Sequence, residues 1–294
     1  MAAQGNGGIN GGINALDGIG SRGKVAVVTG GSRGLGLSAA SAILQAGASK
    51  VFISSRKAAA CEAAVKALNA LPNLAPGATA ISVPADSATI DGVRHLLAEV
   101  SKHTDRVDIL LANAGATWGE AFDTHPDSAF AKVMDLNVRA VFNTIRLFTP
   151  LLEKGASVED PSRVIITASV AGRGVGTLGK QGTYGYSASK AAVIHLGRNL
   201  AVELGPRHIS VNSICPGFFP TKMANGLLEM SGGADSFARA NPLLRLGHPE
   251  DIAGIIVYLS SRAGSYINGE AIALDGGAMW SRGQLAMAGE QSKL

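Results

Sequence analysis

From Lys24 onward, short runs rich in Val and Ile alternate with longer segments of helical spacing. The runs read KVAVVTG, KVFISSR, ATAISVPAD, VDILLANAG, RVIITAS, ISVNSICPG and EAIALDGG. Most are continuously apolar, as strands buried on both faces must be. Segments 35–46, 57–70, 89–103 and 188–204 carry the helical period between them. Alternation sustained this far predicts an α/β chain, a doubly wound parallel sheet of about seven strands with helices on both faces. A length of 294 residues would allow two domains. No Pro/Ser-rich linker divides the chain, however, so a single domain over residues 24–281 is predicted. The Gly/Pro-rich stretch 216–249 interrupts the pattern after the sixth run. Its length predicts a substrate loop, and Phe218, Phe219, Met223, Leu227, Leu228 and Met230 within it fit an apolar lid or, equally, helix packing.

Composition excludes several classes of function. Apolar residues make up 46% and charged residues only 16%, which describes a large core and not a disordered chain. The net charge of +4 does not imply nucleic acid as a partner. Its basic residues stand singly, with no Lys/Arg block and no interleaved aromatics. No apolar run nears the ~18 residues that a membrane span needs. Cys61 and Cys215 lie far apart, and no Cys/His spacing points to a metal. Two reduced, buried thiols are expected.

The ends differ from the middle. Residues 1–23 are Gly-rich, lack a signal-peptide pattern and read as a flexible tail. Residues 282–294 read as a second tail, whose last residues Ser292, Lys293 and Leu294 spell the peroxisomal address. A peroxisomal location reached through an import receptor is therefore expected, and a cytoplasmic one without it.

The first run leads into a glycine-rich turn. In VVTGGSRGLGLSAASAIL, Gly30, Gly34 and Gly36 stand where a tight turn needs backbone freedom and close approach to a ligand. The helix that follows offers free N–H groups to a pyrophosphate. A Gly cluster after the first strand of an α/β chain predicts a Rossmann-like dinucleotide site, with Ser32, Arg33 and Leu35 completing the turn. The second strand ends in Ser54, Ser55 and Arg56, where NAD-binding folds place an acid for the ribose 2′-hydroxyl. Without that acid, Arg56 can pair with a 2′-phosphate, Ser55 can donate to it, and Arg33 reaches the same region. NADP(H) is the expected cofactor.

With these motifs in order, the chain resembles the short-chain dehydrogenase/reductase family. The resemblance spans Lys24 to about Trp280. It rests on TGGSRGLG (Thr29–Gly36), NAG (Asn113–Gly115), Asn137 in MDLNVRAVF and Ser169 in IITASVAG. YSASK (Tyr186–Lys190), PGFFPT (Pro216–Thr221) and LDGG (Leu274–Gly277) complete the set. The resemblance implies that Asp86 accepts from the adenine amino group. It implies that the turn of Asn113 and Gly115 holds the adenosine side and ties the fourth strand. The Pro216–Gly217 turn, the backbone near Phe219, and Thr221 would bind the nicotinamide carboxamide. Asn137 would position a water that reloads protons through Lys190. LDGG would pack at a subunit interface of a homo-oligomer, a tetramer or dimer. Within the family, the segment EKGASVEDPSR resembles that of bacterial and fungal 3-oxoacyl-thioester reductases, including the rhamnolipid type. The Gly-rich stretch VAGRGVGTLGKQGT between Ser169 and Tyr186 is longer than in many relatives and would border the substrate.

The residues define a chemistry. A ketone accepts hydride when its oxygen is protonated or polarised, so the site needs a proton donor and an oxygen-binding donor. A tyrosine has a reference pKa of ~10, and lowering it by about 2–3 units takes roughly 3–4 kcal/mol. A lysine at i+4 on a helix returns to within ~40° of the same face. Tyr186 and Lys190 meet that spacing, and Lys190 is expected to lower the phenol's pKa. Tyr184, six positions from Lys190, falls about 240° away. Tyr186 is thus the predicted general acid, Ser169 the donor to the substrate oxygen, and Ser187 and Ser189 packing or solvent-facing side chains. The same residues would serve an NADP-dependent alcohol or sugar dehydrogenase running in reverse. The peroxisomal address also admits an enoyl- or dienoyl-CoA reductase, against which the Ser169, Tyr186 and Lys190 set argues. A dinucleotide-binding scaffold would not need that set.

Overall fold

Seven strands, all parallel, form one sheet in the order β3-β2-β1-β4-β5-β6-β7. They are β1 (Val25–Thr29), β2 (Lys50–Ser54), β3 (Thr79–Ser82) and β4 (Ile109–Ala112), followed by β5 (Ser162–Thr167), β6 (Ile209–Pro216) and β7 (Ala271–Leu274). Each falls inside one of the seven apolar runs, except that β5 begins one residue before its run, at Ser162. The computed structural model describes residues 18–221 and 233–281. Met223, Leu227, Leu228, Met230 and the Ser292–Leu294 tripeptide lie outside the described residues.

Successive strand residues point to opposite faces, and here both faces are covered. Val25 and Val27 of β1 join Phe52, Leu110 and Val164 in one core cluster. Helices α3 (Ile90–Ser101), α5 (Ala140–Gly155) and α6 (Tyr184–Leu204) close it with Leu96, Phe148 and Val193. Ala26 and Val28 turn the other way and join Ile53, Leu111 and Ile165. Helices α1 (Gly34–Gln45) and α2 (Ala58–Asn69) cover that side with Ile43 and Leu68. This two-sided burial is why the strands read as unbroken apolar runs.

Between α3 and α5 lies the short α4 (Asp127–Met134), joined to α5 by a wider π turn, Asp135–Arg139. The stretch 216–249 is not one open loop. It contains α7 (Gly233–Arg239) and leads into α8 (Pro249–Ser260), whose Ile252 and Ile256 complete the second cluster. Of the two readings of the apolar stripe, packing holds at Phe219, which is only 6% exposed and belongs to that core. Phe218 stacks on Phe237 at 4.0 Å between centroids, so it is held by a ring of its own chain. Both free thiols are buried, as expected. No helix among the described residues is long and apolar enough to cross a membrane.

Strand order reverses at β1, which lies between β2 and β4. The crevice outside the C-terminal strand ends at such a switch point is where α/β sheets bind ligands.

Candidate active site

The turn after β1 is built for close approach. Gly30 and Gly34 have φ of 65° and 54°, in the region that favours glycine. A Cβ on Gly36 would collide with the Gly30 carbonyl oxygen and stand 2.5 Å from Asn113 Nδ2. Helix α1 begins without a side-chain cap and with no acid in its first turn. Its leading N–H groups therefore favour an anion. The turn is tied to β2 by Gly31 N–H donating to the Ser54 carbonyl oxygen at 3.2 Å. Arg33 and Arg56 are both exposed, and neither forms an ion pair among the described residues. Ser32 and Ser55 are half-buried beside them. The Ser55 hydroxyl lies 3.1 Å from Cys61 Sγ. Leu35 packs into the second core and anchors the first turn of α1. These residues fit a 2′-phosphorylated dinucleotide: a close-packed glycine cradle, an uncapped helix start and two free guanidinium groups at the ribose end.

Asn113 clamps β4 to the glycine turn. Its Nδ2 donates to the carbonyl oxygens of Thr29 and Gly30 at 3.1 and 3.2 Å. The Thr29 hydroxyl accepts from the N–H groups of Asn113 and Ala114 at 3.0 and 3.1 Å, a role spacing alone did not expose. Asp86 accepts from Ala88 N–H through one carboxylate oxygen at 3.0 Å. On the opposite side, Gly217 N–H donates to the Leu274 carbonyl oxygen at 2.9 Å, tying the turn after Pro216 to β7. Thr221 closes over the cradle, since a Cβ at Gly34 would lie 3.6 Å from its methyl.

The sheet end and α6 bring together Ser169, Tyr186 and Lys190. Ser169 follows β5 in extended backbone and starts a 3-10 turn, accepting from Ala171 N–H at 3.1 Å. That turn presses on α6 so closely that a Cβ on Gly172 would stand 2.6 Å from Ala191 N. The Ser169 hydroxyl lies beside the Tyr186 phenol and favours its charged form. Lys190 Nζ sits 5.5 Å from the Tyr186 ring centroid. Gly115 belongs to the same space, as a Cβ there would lie 3.6 Å from Lys190 Nζ.

Tyr184 is also helical, as the first residue of α6. Its ring turns away and meets Phe122 and His125 edge-on, at 5.7 and 6.1 Å between centroids. The two tyrosines are thus divided as helical spacing predicts.

The expected depression of the phenol pKa is not found. Burial pushes Tyr186 up, against the smaller opposing effect of Ser169. The physical reason is where the lysine points: Lys190 Nζ donates to the Thr167 carbonyl oxygen at 2.7 Å and not to the phenol. Burial in turn pushes Lys190 down to about 8. A phenol that keeps its proton at neutral pH is a loaded acid.

Asn137 is 1% exposed in the π turn. Its amide accepts from Ala116 N–H and donates to the Ala116 carbonyl oxygen, both at 2.9 Å. Its other Nδ2 hydrogen goes to Ser189 Oγ at 2.9 Å. The side chain is therefore occupied in holding the loop after β4 against α6. Ser189 faces neither solvent nor plain packing, which corrects its reading from spacing.

A parallel sheet with this switch point, a glycine cradle and a Ser–Tyr–Lys cluster at its C-terminal edge defines a Rossmann-like oxidoreductase. A family model described as enoyl-(acyl carrier protein) reductase matches residues 30–279. The chain is 41% identical over 255 residues to the rhamnolipids biosynthesis 3-oxoacyl-(acyl-carrier-protein) reductase of Pseudomonas aeruginosa, covering 87% of this chain and 96% of the relative. It is 32% identical over 278 residues to the short-chain dehydrogenase/reductase PhomF of Diaporthe leptostromiformis, over 87% of this chain and 92% of that one. The solved Pseudomonas aeruginosa RhlG/NADP active-site complex aligns with a TM-score of 0.81 at 40% identity, covering 88% of this chain and 98% of that chain. The chain belongs to the short-chain dehydrogenase/reductase family.

Proposed function

We propose that the chain is an NADPH-dependent carbonyl reductase that converts a ketone to a secondary alcohol, with 3-oxoacyl thioesters as the leading substrate class. The observation that carries the reading is the meeting of Ser169, Tyr186 and Lys190 at the C-terminal edge of the sheet. When bound, the nicotinamide would supply hydride. Ser169 then holds the substrate oxygen and Tyr186 gives it a proton. Lys190 contributes positive charge beside the phenol, and Asn137 fixes the loop that borders both. Enoyl reduction, which the family model's description names, places its hydride on a C=C bond. A hydroxyl and a protonated phenol side by side suit a carbonyl oxygen better. The name of the Pseudomonas relative supports the thioester class.

The cofactor preference rests on Ser54–Ser55–Arg56, which has no acid, and on the exposed Arg33 of the glycine turn. Arg56→Asp is expected to weaken NADPH binding by about 10–100-fold, the scale of a lost charge-assisted pair, and to improve NADH binding. Fluorescence titration of each cofactor measures this. Equal affinities for NADPH and NADH in the unmutated protein would defeat the preference.

Reduction needs Tyr186 protonated and Lys190 charged. Lys190 is an ammonium below its pKa of about 8 and neutral above it. The kcat/KM for reduction is therefore expected to fall as pH rises through about 8. A profile flat to well above that point would contradict the role given to Lys190.

We also propose peroxisomal delivery through Ser292, Lys293 and Leu294. Removing the tripeptide from an N-terminally tagged protein is expected to move it from peroxisomes to the cytosol. An unchanged distribution refutes the address. A homo-oligomer is proposed on family resemblance, and light scattering of the purified protein tests it.

A further inference from the structure

Ser189 stands three residues after Tyr186, about 60° round the helix from it on the side away from Lys190. A serine inside a helix normally turns to solvent or bonds back to the preceding turn. This one is fully buried. Its hydroxyl donates to the Tyr186 carbonyl oxygen at 2.7 Å and accepts from Asn137 Nδ2 at 2.9 Å. A hydroxyl has one hydrogen to give and lone pairs to receive, so both capacities are spent on residues of the site. Asn137 continues the chain to both backbone groups of Ala116. Ala116 follows Gly115, where a Cβ would lie 3.1 Å from Asn137 Oδ1 and 3.6 Å from Lys190 Nζ.

The path therefore runs from the loop after β4, through Asn137 and Ser189, to the backbone of the proton donor. We propose that Ser189 is a positioning residue, which fixes the first turn of α6 so that the Tyr186 phenol meets Ser169 at a set angle. The proposal rests on the carbonyl-reductase reading for its catalytic consequence. Without the hydroxyl, Asn137 Nδ2 keeps a buried hydrogen with no acceptor, and the Tyr186 carbonyl loses its side-chain bond. The first turn of α6 then loses its tie to the loop after β4, and misplacement of a catalytic group by about 1 Å costs about 10²-fold in rate.

The test compares Ser189→Ala and Ser189→Thr in the full chain, with NADPH and a 3-oxoacyl thioester. Ser189→Ala is expected to lower kcat about 10–100-fold, with the KM for NADPH within about twofold. Ser189→Thr keeps the hydroxyl and is expected to recover kcat to within about fivefold. A second readout does not need turnover: ultraviolet titration of the Tyr186 phenol, isolated by difference against Tyr186→Phe. Lys190 on the same helix and Cys215 on β6 are the other titratable groups facing this phenol. Ser189→Ala is expected to move its ionisation to higher pH, because the Ser169 hydroxyl that favours the charged form is no longer aligned. Unchanged kcat and unchanged titration in a folded Ser189→Ala protein, even one that melts lower, would overturn the proposal. If Ser189→Ala does not fold, Ser189→Cys is read by the same two measurements. A wild-type protein that reduces no ketone defeats the functional reading, while the titration still decides the role of Ser189.

Discussion

Tyr186→Phe is expected to lower kcat for ketone reduction by about 10²–10⁴-fold, the range a positioned general acid contributes. Phenylalanine keeps the ring against Lys190 and removes only the phenolic hydroxyl. The cradle of Gly30, Gly34 and Gly36 lies on another element, so NADPH should bind within a few-fold of its normal affinity. Tyr184→Phe is the matched control. Its ring contacts are aromatic edges with Phe122 and His125, and phenylalanine preserves them, so turnover should stay within a few-fold. Steady-state kinetics with cofactor titration separate the two variants. A Tyr184→Phe protein that loses turnover while Tyr186→Phe retains it would reverse the assignment.

Gly36→Ala is expected to weaken NADPH binding by about 10–100-fold, because overpacking a close contact costs about 1–3 kcal/mol. The added methyl would collide with the Gly30 carbonyl oxygen and stand 2.5 Å from Asn113 Nδ2. Asn113 is the clamp that holds β4 to the turn, so the cradle and the clamp shift together. Gly254→Ala in α8 provides the contrast, since a Cβ there meets nothing within 4 Å. It should leave cofactor affinity unchanged and gain up to about 1 kcal/mol in helix stability. Calorimetric titration of NADPH into both variants decides this. Normal affinity in Gly36→Ala would mean that the turn does not hold the cofactor.

The parts of this protein that repeat locally are legible in its sequence. All seven strands are visible as apolar runs because the sheet is buried on both faces. Tyr186 and Lys190 are visible as a pair because a helix sets their spacing. What is not legible depends on distant partners. Ser189 reads as packing or surface until its acceptor role toward Asn137, 52 residues away, is seen. Phe219 fits a lid or a packed face equally until the core shared with α8 claims it. Arg163 sits within an apolar run, yet it is buried at 1% exposure and paired with Asp160 at 2.9 Å. The direction of the Tyr186 pKa was also beyond spacing. An i+4 lysine predicts attraction to the phenol, but the Thr167 carbonyl captures the ammonium and burial then dominates. Helical spacing brings two side chains near each other without deciding where each one points.

The most direct measurement of the central claim is the fate of labelled hydride. The purified protein is given NADPH carrying deuterium at nicotinamide C4, on either face in separate reactions, with a 3-oxoacyl thioester or a ketone. Carbonyl reduction requires loss of NADPH absorbance and, with one of the two cofactors, deuterium on the carbinol carbon of a secondary alcohol. Deuterium transferred to a C=C carbon of an enoyl thioester offered in parallel while the carbonyl substrates stay unreduced, or no NADPH consumption with any carbonyl substrate offered, would contradict it.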